Sequence, residues 1–342
     1  MTALLLSLPL LAVLSAAVVR ALIARPILDQ PAPRKAHARP MPTAGGLGVA
    51  AAVAAGMAVL WAAGDTGPAA HLPLLTAAAA MAALGLLDDR FDLPALPRLL
   101  AQAAAAGVAI AGGLLLDSVV LPVIGEVPFG LAMTLLWFLA CTNAMNFLDG
   151  ADGLAGGSLL VASLMLAVAG AMLGAPVVVA LSLCLAAGLA GFLPFNWPPA
   201  RIFLGDAGSQ PAGFLLAGLG IAAGLADEAR MAFAILPMLL AAHLFDAGFT
   251  LARRACSGER VWQPHRTHLY QMAIRAGWPI RRIALLHAGF AAVHGLLAIW
   301  FLLLPADARS WPLLLALGGQ LAWLAVVLRA MRRAGIGFST PP

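Results

Sequence analysis

The thirteen residues from Asn143 to Ala155, NAMNFLDGADGLA, carry the densest potential chemistry in the chain. Two asparagines stand three apart, Asn143 and Asn146. Two acids, Asp149 and Asp152, do the same, each followed by glycine. Asp-Gly interrupts a helix, because Gly150 and Gly153 accept positive φ and let backbone approach a ligand. Two carboxylates in such a turn suit a hard cation and the phosphate it carries. Helix caps explain the same residues more plainly, Asp149 and Asp152 opening one helix and Asn146 closing another.

Other acids extend the pattern. In DDRFDLPALPR (88–98), Asp88, Asp89 and Asp92 stand at i, i+1 and i+4, so Asp88 and Asp92 are expected on one helical face. Asp206 sits between Gly205 and Ala207-Gly208-Ser209, where a helix is expected to begin and its carboxylate can face a cation. Asn196 closes an apolar run as Asn143 and Asn146 do. His243 and Asp246 fall inside an apolar run, where an acid is functional unless an arginine such as Arg253 or Arg254 pairs it. His265, Arg266 and His268 lie in PHRTHLYQ with no third nitrogen or acid close by. Recognition of a nucleotide or sugar phosphate suits them better than a metal. In the basic loop 25–44, Lys35 or Arg34 can grip a phosphate, and Thr43 to Gly46 can offer backbone N–H groups to an anion.

These residues need elements to hold them, and composition says which. Of 342 residues 62% are hydrophobic and 10% charged, against about 25% charged in soluble domains; mean hydropathy is +0.95. One soluble core cannot hide that much apolar surface. The expected fold is an all-α polytopic integral membrane protein, a single domain over 1–342, with about 10–11 transmembrane helices. Spans are expected near 3–24, 45–63, 71–87, 99–116, 128–146, 156–173, 177–195, 208–225, 231–252, 283–304 and 311–328. Between Asp117 and Val127, valines with Pro122 and Gly125 suggest a short external hairpin.

Charge fixes orientation. The loops near 25–44, 88–98, 147–155, 196–207 and 253–282, with the tail after 328, hold 17 of the 20 Lys and Arg. The positive-inside rule makes them cytoplasmic, with the N-terminus outside. The net charge of +5 is thereby explained without nucleic acid. Three cysteines without a CxxC indicate neither a disulfide framework nor zinc. MTALLLSLPLLAVL lacks the basic start of a signal peptide and reads as a retained first span.

Five motifs in order resemble the polyprenyl-phosphate N-acetylhexosamine-1-phosphate transferase superfamily, glycosyltransferase family 4. They are PTAGG (42–46), DDRFD (88–92), NAMNFLDGADGLA (143–155), FNWPPARIFLGDAGS (195–209) and the His loop at 265–268. The superfamily includes undecaprenyl-phosphate GlcNAc-1-phosphate transferases and phospho-MurNAc-pentapeptide translocases. The resemblance implies a Mg²⁺-dependent enzyme, with Mn²⁺ as a substitute, in the bacterial inner membrane, its catalytic loops cytoplasmic. A polyprenyl phosphate would attack a UDP-N-acetyl sugar and release UMP. Carried onto this chain, it makes Asp88, Asp89, Asp149 and Asp152 catalytic and Asp206 and Asp149 metal ligands. Lys35, Asn143, Asn146, Asn196, His265, Arg266 and His268 become substrate-binding. The expected partners are the UDP-sugar, undecaprenyl phosphate and the bilayer, with a homodimer left open.

PHRTHLYQ departs from the histidine-richer loops of the translocase and the GlcNAc enzyme. It resembles O-antigen and capsule-initiating members that use 6-deoxy sugars such as FucNAc or QuiNAc, with a UDP-GlcNAc enzyme as the alternative. Transporters place acids near the bilayer midplane in inverted repeats, whereas these acids gather at span ends. CDP-alcohol phosphotransferases need Asp-Gly followed by Ala-Arg, and Asp152-Gly153 is followed by Leu154-Ala155.

Overall fold

The computed structural model describes residues 1–29, 40–64, 71–122, 124–263 and 265–339. Thirteen α-helices are described: α1 (Thr2–Ala24), α2 (Gly46–Ala62), α3 (Leu72–Phe91), α4 (Ala95–Ala111), α5 (Gly130–Phe147), α6 (Leu154–Met172) and α7 (Pro176–Asn196), then α8 (Asp206–Ala226), α9 (Ile235–Leu239), α10 (Ala241–Cys256), α11 (Leu269–Arg275), α12 (Ile280–Leu303) and α13 (Ser310–Arg333). Strands β1 (Leu28–Asp29) and β2 (Met41–Pro42) form a minimal antiparallel pair. Strands β3 (Ser118–Leu121) and β4 (Gly125–Pro128) form the hairpin expected between Asp117 and Val127.

Among the described residues, eight helices are long and apolar enough to cross a membrane, nine if one bent pair counts as a span. The apolar helices α2 and α4 are shorter, at 17 residues each. Every expected span thus has a helical counterpart in an all-α polytopic protein.

One span needs correcting. The run 231–252 is not a single helix: Met231–Leu239 and Ala241–Cys256 meet at 77°. The physical reason lies in α10, which carries Asp246, Arg253 and Arg254. Their partners His268, Leu269, Tyr270 and Glu259 all lie in the segment that follows α10. The bend turns the three charges toward that segment.

Helix α8 is the most enclosed span, with 83% of its apolar window buried, and it packs against α2, α3, α5, α6 and α7. Between membrane helices, small residues permit such close approach. Gly85 of α3 lies so near the start of α8 that a Cβ there would run into the Asp206 carbonyl. Antiparallel α6 and α7 extend the core toward α1 and α2 on one side and α12 on the other. Because the helices alternate in direction, α3, α5 and α7 end where α2, α4, α6 and α8 begin. One face of the bundle therefore collects nearly every residue singled out above.

Candidate active site

The expected loop 88–98 is mostly helix. Helix α3 runs through Phe91, which places Asp88 and Asp89 in its last turn, and α4 starts at Ala95. Asp92 leaves the helix at φ +51° and is exposed, so it does not share a helical face with Asp88. Pro94, the residue before α4, sets that boundary.

Asp88 is 6% exposed. Its Oδ2 lies 2.6 Å from Arg98 Nη1 in the first turn of α4, and its Oδ1 accepts the Leu93 N–H at 2.8 Å. The same guanidinium reaches Asp206 Oδ2 at 3.9 Å. Asp206 Oδ1 accepts Asn146 Nδ2 at 2.6 Å and its Oδ2 accepts Gln210 Nε2 at 3.1 Å. Gln210 Nε2 is also 3.5 Å from Asp88. Side chains from α3, α4, α5 and α8 thus meet around one pair of carboxylates.

Asp89 is placed differently. Its two oxygens accept the N–H groups of Asp206 at 3.0 Å and Ala207 at 3.1 Å, capping α8 from another helix. Thr43 Oγ1 adds a bond at 3.3 Å. Gly205, at φ +73°, makes the sharp entry into α8, and a Cβ there would meet Thr43 and Asp89. Asp149 Oδ2 accepts the Gly205 N–H at 3.1 Å, and Asp152 accepts the Ala200 N–H at 2.9 Å. Burial, followed by the charges of Asp206 and Asp89, pushes the Asp149 carboxyl well above the ordinary carboxylate range.

The asparagines divide in the same way. Asn146 touches Asp206, whereas Asn143 donates to Gln102, which in turn donates to Gln210 at 3.1 Å. Asn196 is 3% exposed. It accepts the Gly153 N–H and donates to the Ile202 carbonyl, both at 2.9 Å, tying the Asp149–Gly153 turn to the 197–205 loop. Thr43 to Gly46 present no free N–H cradle. Gly45 and Gly46 donate to the carbonyls of Phe203 and Leu204, and Thr43 to that of Ile27. Lys35 and Arg34 lie outside the described residues.

The histidine loop is held from below. Asp246, 1% exposed, accepts His268 Nδ1 at 3.0 Å and the N–H groups of Leu269 at 2.9 Å and Tyr270 at 3.1 Å. It therefore caps α11 rather than pairing with Arg253 or Arg254, which bind Glu259. Tyr270 reaches the Phe147 carbonyl at 3.2 Å, joining α11 to the end of α5 beside Asp149. The His265 ring lies 4.8 Å from that of His268. Burial, then His268 and Arg254, lower its pKa to about 4, so it is neutral at physiological pH. Arg266 has its Nε buried without a partner among the described residues. Arg98, Gln102 and Gln210 were not expected in the site. Their signal was polarity inside apolar runs, which requires a partner.

Among the described residues no three His, Cys, Asp or Glu side chains form a closed metal cage. The donor set still fits a hard divalent cation. Four carboxylates, from Asp88, Asp89, Asp149 and Asp206, gather about the start of α8 with one guanidinium among them. Mg²⁺ takes one or two carboxylates and completes its shell from phosphates and water.

A sequence profile of glycosyl transferase family 4 matches residues 71–224. That stretch holds every carboxylate of the cluster but not the histidine loop. Over 256 residues the chain is 32% identical to a protein of Bacillus subtilis (strain 168) named probable undecaprenyl-phosphate N-acetylglucosaminyl 1-phosphate transferase, covering 73% of this chain and 70% of that one. It is 32% identical over 314 residues to a decaprenyl-phosphate N-acetylglucosaminephosphotransferase of Mycobacterium tuberculosis (strain ATCC 25618 / H37Rv), covering 79% and 75%. An undecaprenyl-phosphate alpha-N-acetylglucosaminyl 1-phosphate transferase of Escherichia coli (strain K12) is 29% identical over 287 residues, covering 80% and 76%.

Proposed function

The chain belongs to glycosyl transferase family 4, the polyprenyl-phosphate N-acetylhexosamine-1-phosphate transferases, and on that premise we propose that it transfers an N-acetylhexosamine-1-phosphate from a UDP-sugar to undecaprenyl phosphate, releasing UMP. The observation that carries the proposal is the meeting of Asp88, Arg98, Asn146 and Asp206, drawn from four helices, at one helix-end face.

An oxygen of the lipid phosphate forms a bond to the β-phosphorus of the UDP-sugar. The bond from that phosphorus to the bridging oxygen breaks, and UMP leaves with its electron pair. Both reactants are anions, so alignment and charge neutralisation are the main tasks. A phosphate monoester has a second pKa near 6, so the lipid phosphate is largely ionised at neutral pH and needs no base. Both Asp88 oxygens are already engaged, which favours a positioning role for Asp88 over that of general base. Asp206 and Asp149 would hold Mg²⁺ or Mn²⁺, which would offset the charge of the two phosphates. Asn146 and Gln210 orient the Asp206 carboxylate, Asp89 fixes the start of its helix, and Asp152 and Asn196 hold the 197–205 loop.

The histidine loop would receive the sugar. Its histidine-poor sequence supports a 6-deoxy-N-acetylhexosamine such as FucNAc or QuiNAc and a role in initiating O-antigen or another surface polysaccharide. The names of the relatives support UDP-GlcNAc as the alternative. The test is purified protein with undecaprenyl phosphate and each UDP-sugar in turn. The expected result is UMP released in equal amount to lipid-linked sugar, and only with both substrates present. Lipid-linked sugar accompanied by UDP would refute it.

The site would face the cytoplasm, where UDP-sugars are made. With exposed Cys256 first replaced by serine, external thiol reagents should label a cysteine at Gly174 and spare one at Arg90. The reverse pattern would invert the proposed orientation.

A further inference from the structure

A groove of about 770 Å³ runs between α12 and α13 on the outer surface of the bundle. Leu285, Phe290 and Leu315 give it an apolar wall, while Arg281 and Arg282 stand at the end that shares a face with the carboxylate site. Gly289 and Gly319 leave room in it, because a Cβ on either would meet nothing within 4 Å.

The two arginines occupy the first turn of α12, where the helix dipole disfavours cations and favours anions. Neither has an ion pair among the described residues. Instead Arg282 lies 4.0 Å from the centre of the Trp278 ring and Arg281 lies 6.0 Å from that of Trp197. Cation–π contacts orient a guanidinium without neutralising it. Two oriented positive charges above an apolar channel match a phosphate head with hydrocarbon chains below. We propose that this groove is a binding site for an anionic phospholipid of the surrounding bilayer, with its phosphodiester between Arg281 and Arg282.

The groove does not suit the lipid substrate. Its helices pack chiefly on α6, α9, α10 and α11, whereas the Asp88–Asp206 cluster is built by α3, α4, α5 and α8. A lipid lying in the groove has its head at Arg281 and Arg282, beside Trp197 and Trp278. A net positive mouth also selects phosphatidylglycerol over zwitterionic phosphatidylcholine.

Native mass spectrometry of the detergent-purified protein, titrated separately with phosphatidylglycerol and phosphatidylcholine, tests the site directly. The expected result is one retained phosphatidylglycerol per chain and clearly weaker retention of phosphatidylcholine. The double variant R281Q/R282Q should weaken the anionic adduct by roughly 10- to 30-fold, the share of two basic groups at an anionic lipid surface. Gly289→Phe should fill the groove and remove the adduct while keeping both charges, which separates groove from charge. Equal retention of the two lipids, or unchanged retention in both variants, overturns the proposal. So does displacement of phosphatidylglycerol by undecaprenyl phosphate, or its loss upon dimerisation. The readout is a lipid adduct rather than sugar transfer, so this outcome is independent of the reaction proposed above.

Discussion

Asp89 caps the helix that Asp206 begins: its two oxygens accept the backbone N–H groups of Asp206 and Ala207 at 3.0 and 3.1 Å, across 117 and 118 residues of sequence. Two acids that look equivalent as span-end carboxylates therefore do different work. One holds the backbone, and the other presents its side chain.

That difference predicts separable phenotypes. Asp206→Asn keeps size and most hydrogen bonds, so the protein should stay folded while transfer falls by roughly 10³-fold. Asp89→Asn replaces one accepting oxygen with a donor facing an N–H group and should cost about 1–2 kcal/mol as a lost cap. Thermal unfolding in detergent together with turnover distinguishes the two. Equal melting temperatures with equal residual activity would erase the distinction.

Arg98 and Asp88 form a second test. Asp88 is 6% exposed and paired at 2.6 Å, so Arg98→Ala leaves a nearly buried carboxylate without its counter-charge. Breaking such a pair typically costs about 3–5 kcal/mol. The double variant Asp88→Asn with Arg98→Ala should recover most of that stability but no activity. Recovery of activity would show that neither group positions substrate.

Asp246 anchors the loop that would receive the sugar. Asp246→Asn loses one of the accepting oxygens shared by His268, Leu269, Tyr270 and Thr250. With the carboxylate cluster untouched, KM for the UDP-sugar should rise roughly 10-fold while kcat changes little. A fall in kcat at constant KM would place Asp246 in the phosphoryl-transfer step.

The same loop carries a pH dependence. The pKa of His265 is lowered from 6.5 to about 4 by burial, His268 and the nearby arginines. An opened loop takes up a proton from about pH 6.5 downward, whereas the closed loop resists it. The closed state is thus favoured in full above pH 6.5 and loses that advantage as the pH falls toward 4. Hydrogen exchange over 268–275, corrected for intrinsic rates, should show protection falling between pH 7 and 5. In His265→Gln that slope should flatten, and an unchanged slope would assign the titration to another group.

Most of the polar positions were legible because an acid or amide stands out when it interrupts an apolar run. Asp88, Asp149 and Asp206 could be found that way, and the hairpin after Asp117 was legible from its valines with Pro122 and Gly125. Which of them are caps was not legible. Asp89, Asp152 and Asn196 are held by partners 43 to 118 residues away, and no local pattern encodes such pairings. The bend before α10 was hidden for a related reason. Counting apolar residues finds a span of the right length, but the partners of Asp246, Arg253 and Arg254 lie in the segment after Cys256. Arg98, Gln102 and Gln210 were visible as polar residues in apolar surroundings, yet their partners emerge only when α3, α4, α5 and α8 come together.

The most direct measurement follows the β-phosphorus. UDP-N-acetylhexosamine labelled with ³²P at the β position is incubated with undecaprenyl phosphate and the purified protein, wild type or Asp206→Asn. The account predicts that label enters the lipid phase together with the sugar, that unlabelled UMP appears in equal amount, and that Asp206→Asn lowers both by roughly 10³-fold. Label remaining in water-soluble UDP while sugar reaches the lipid would mean transfer of the sugar without its phosphate, and would contradict the account.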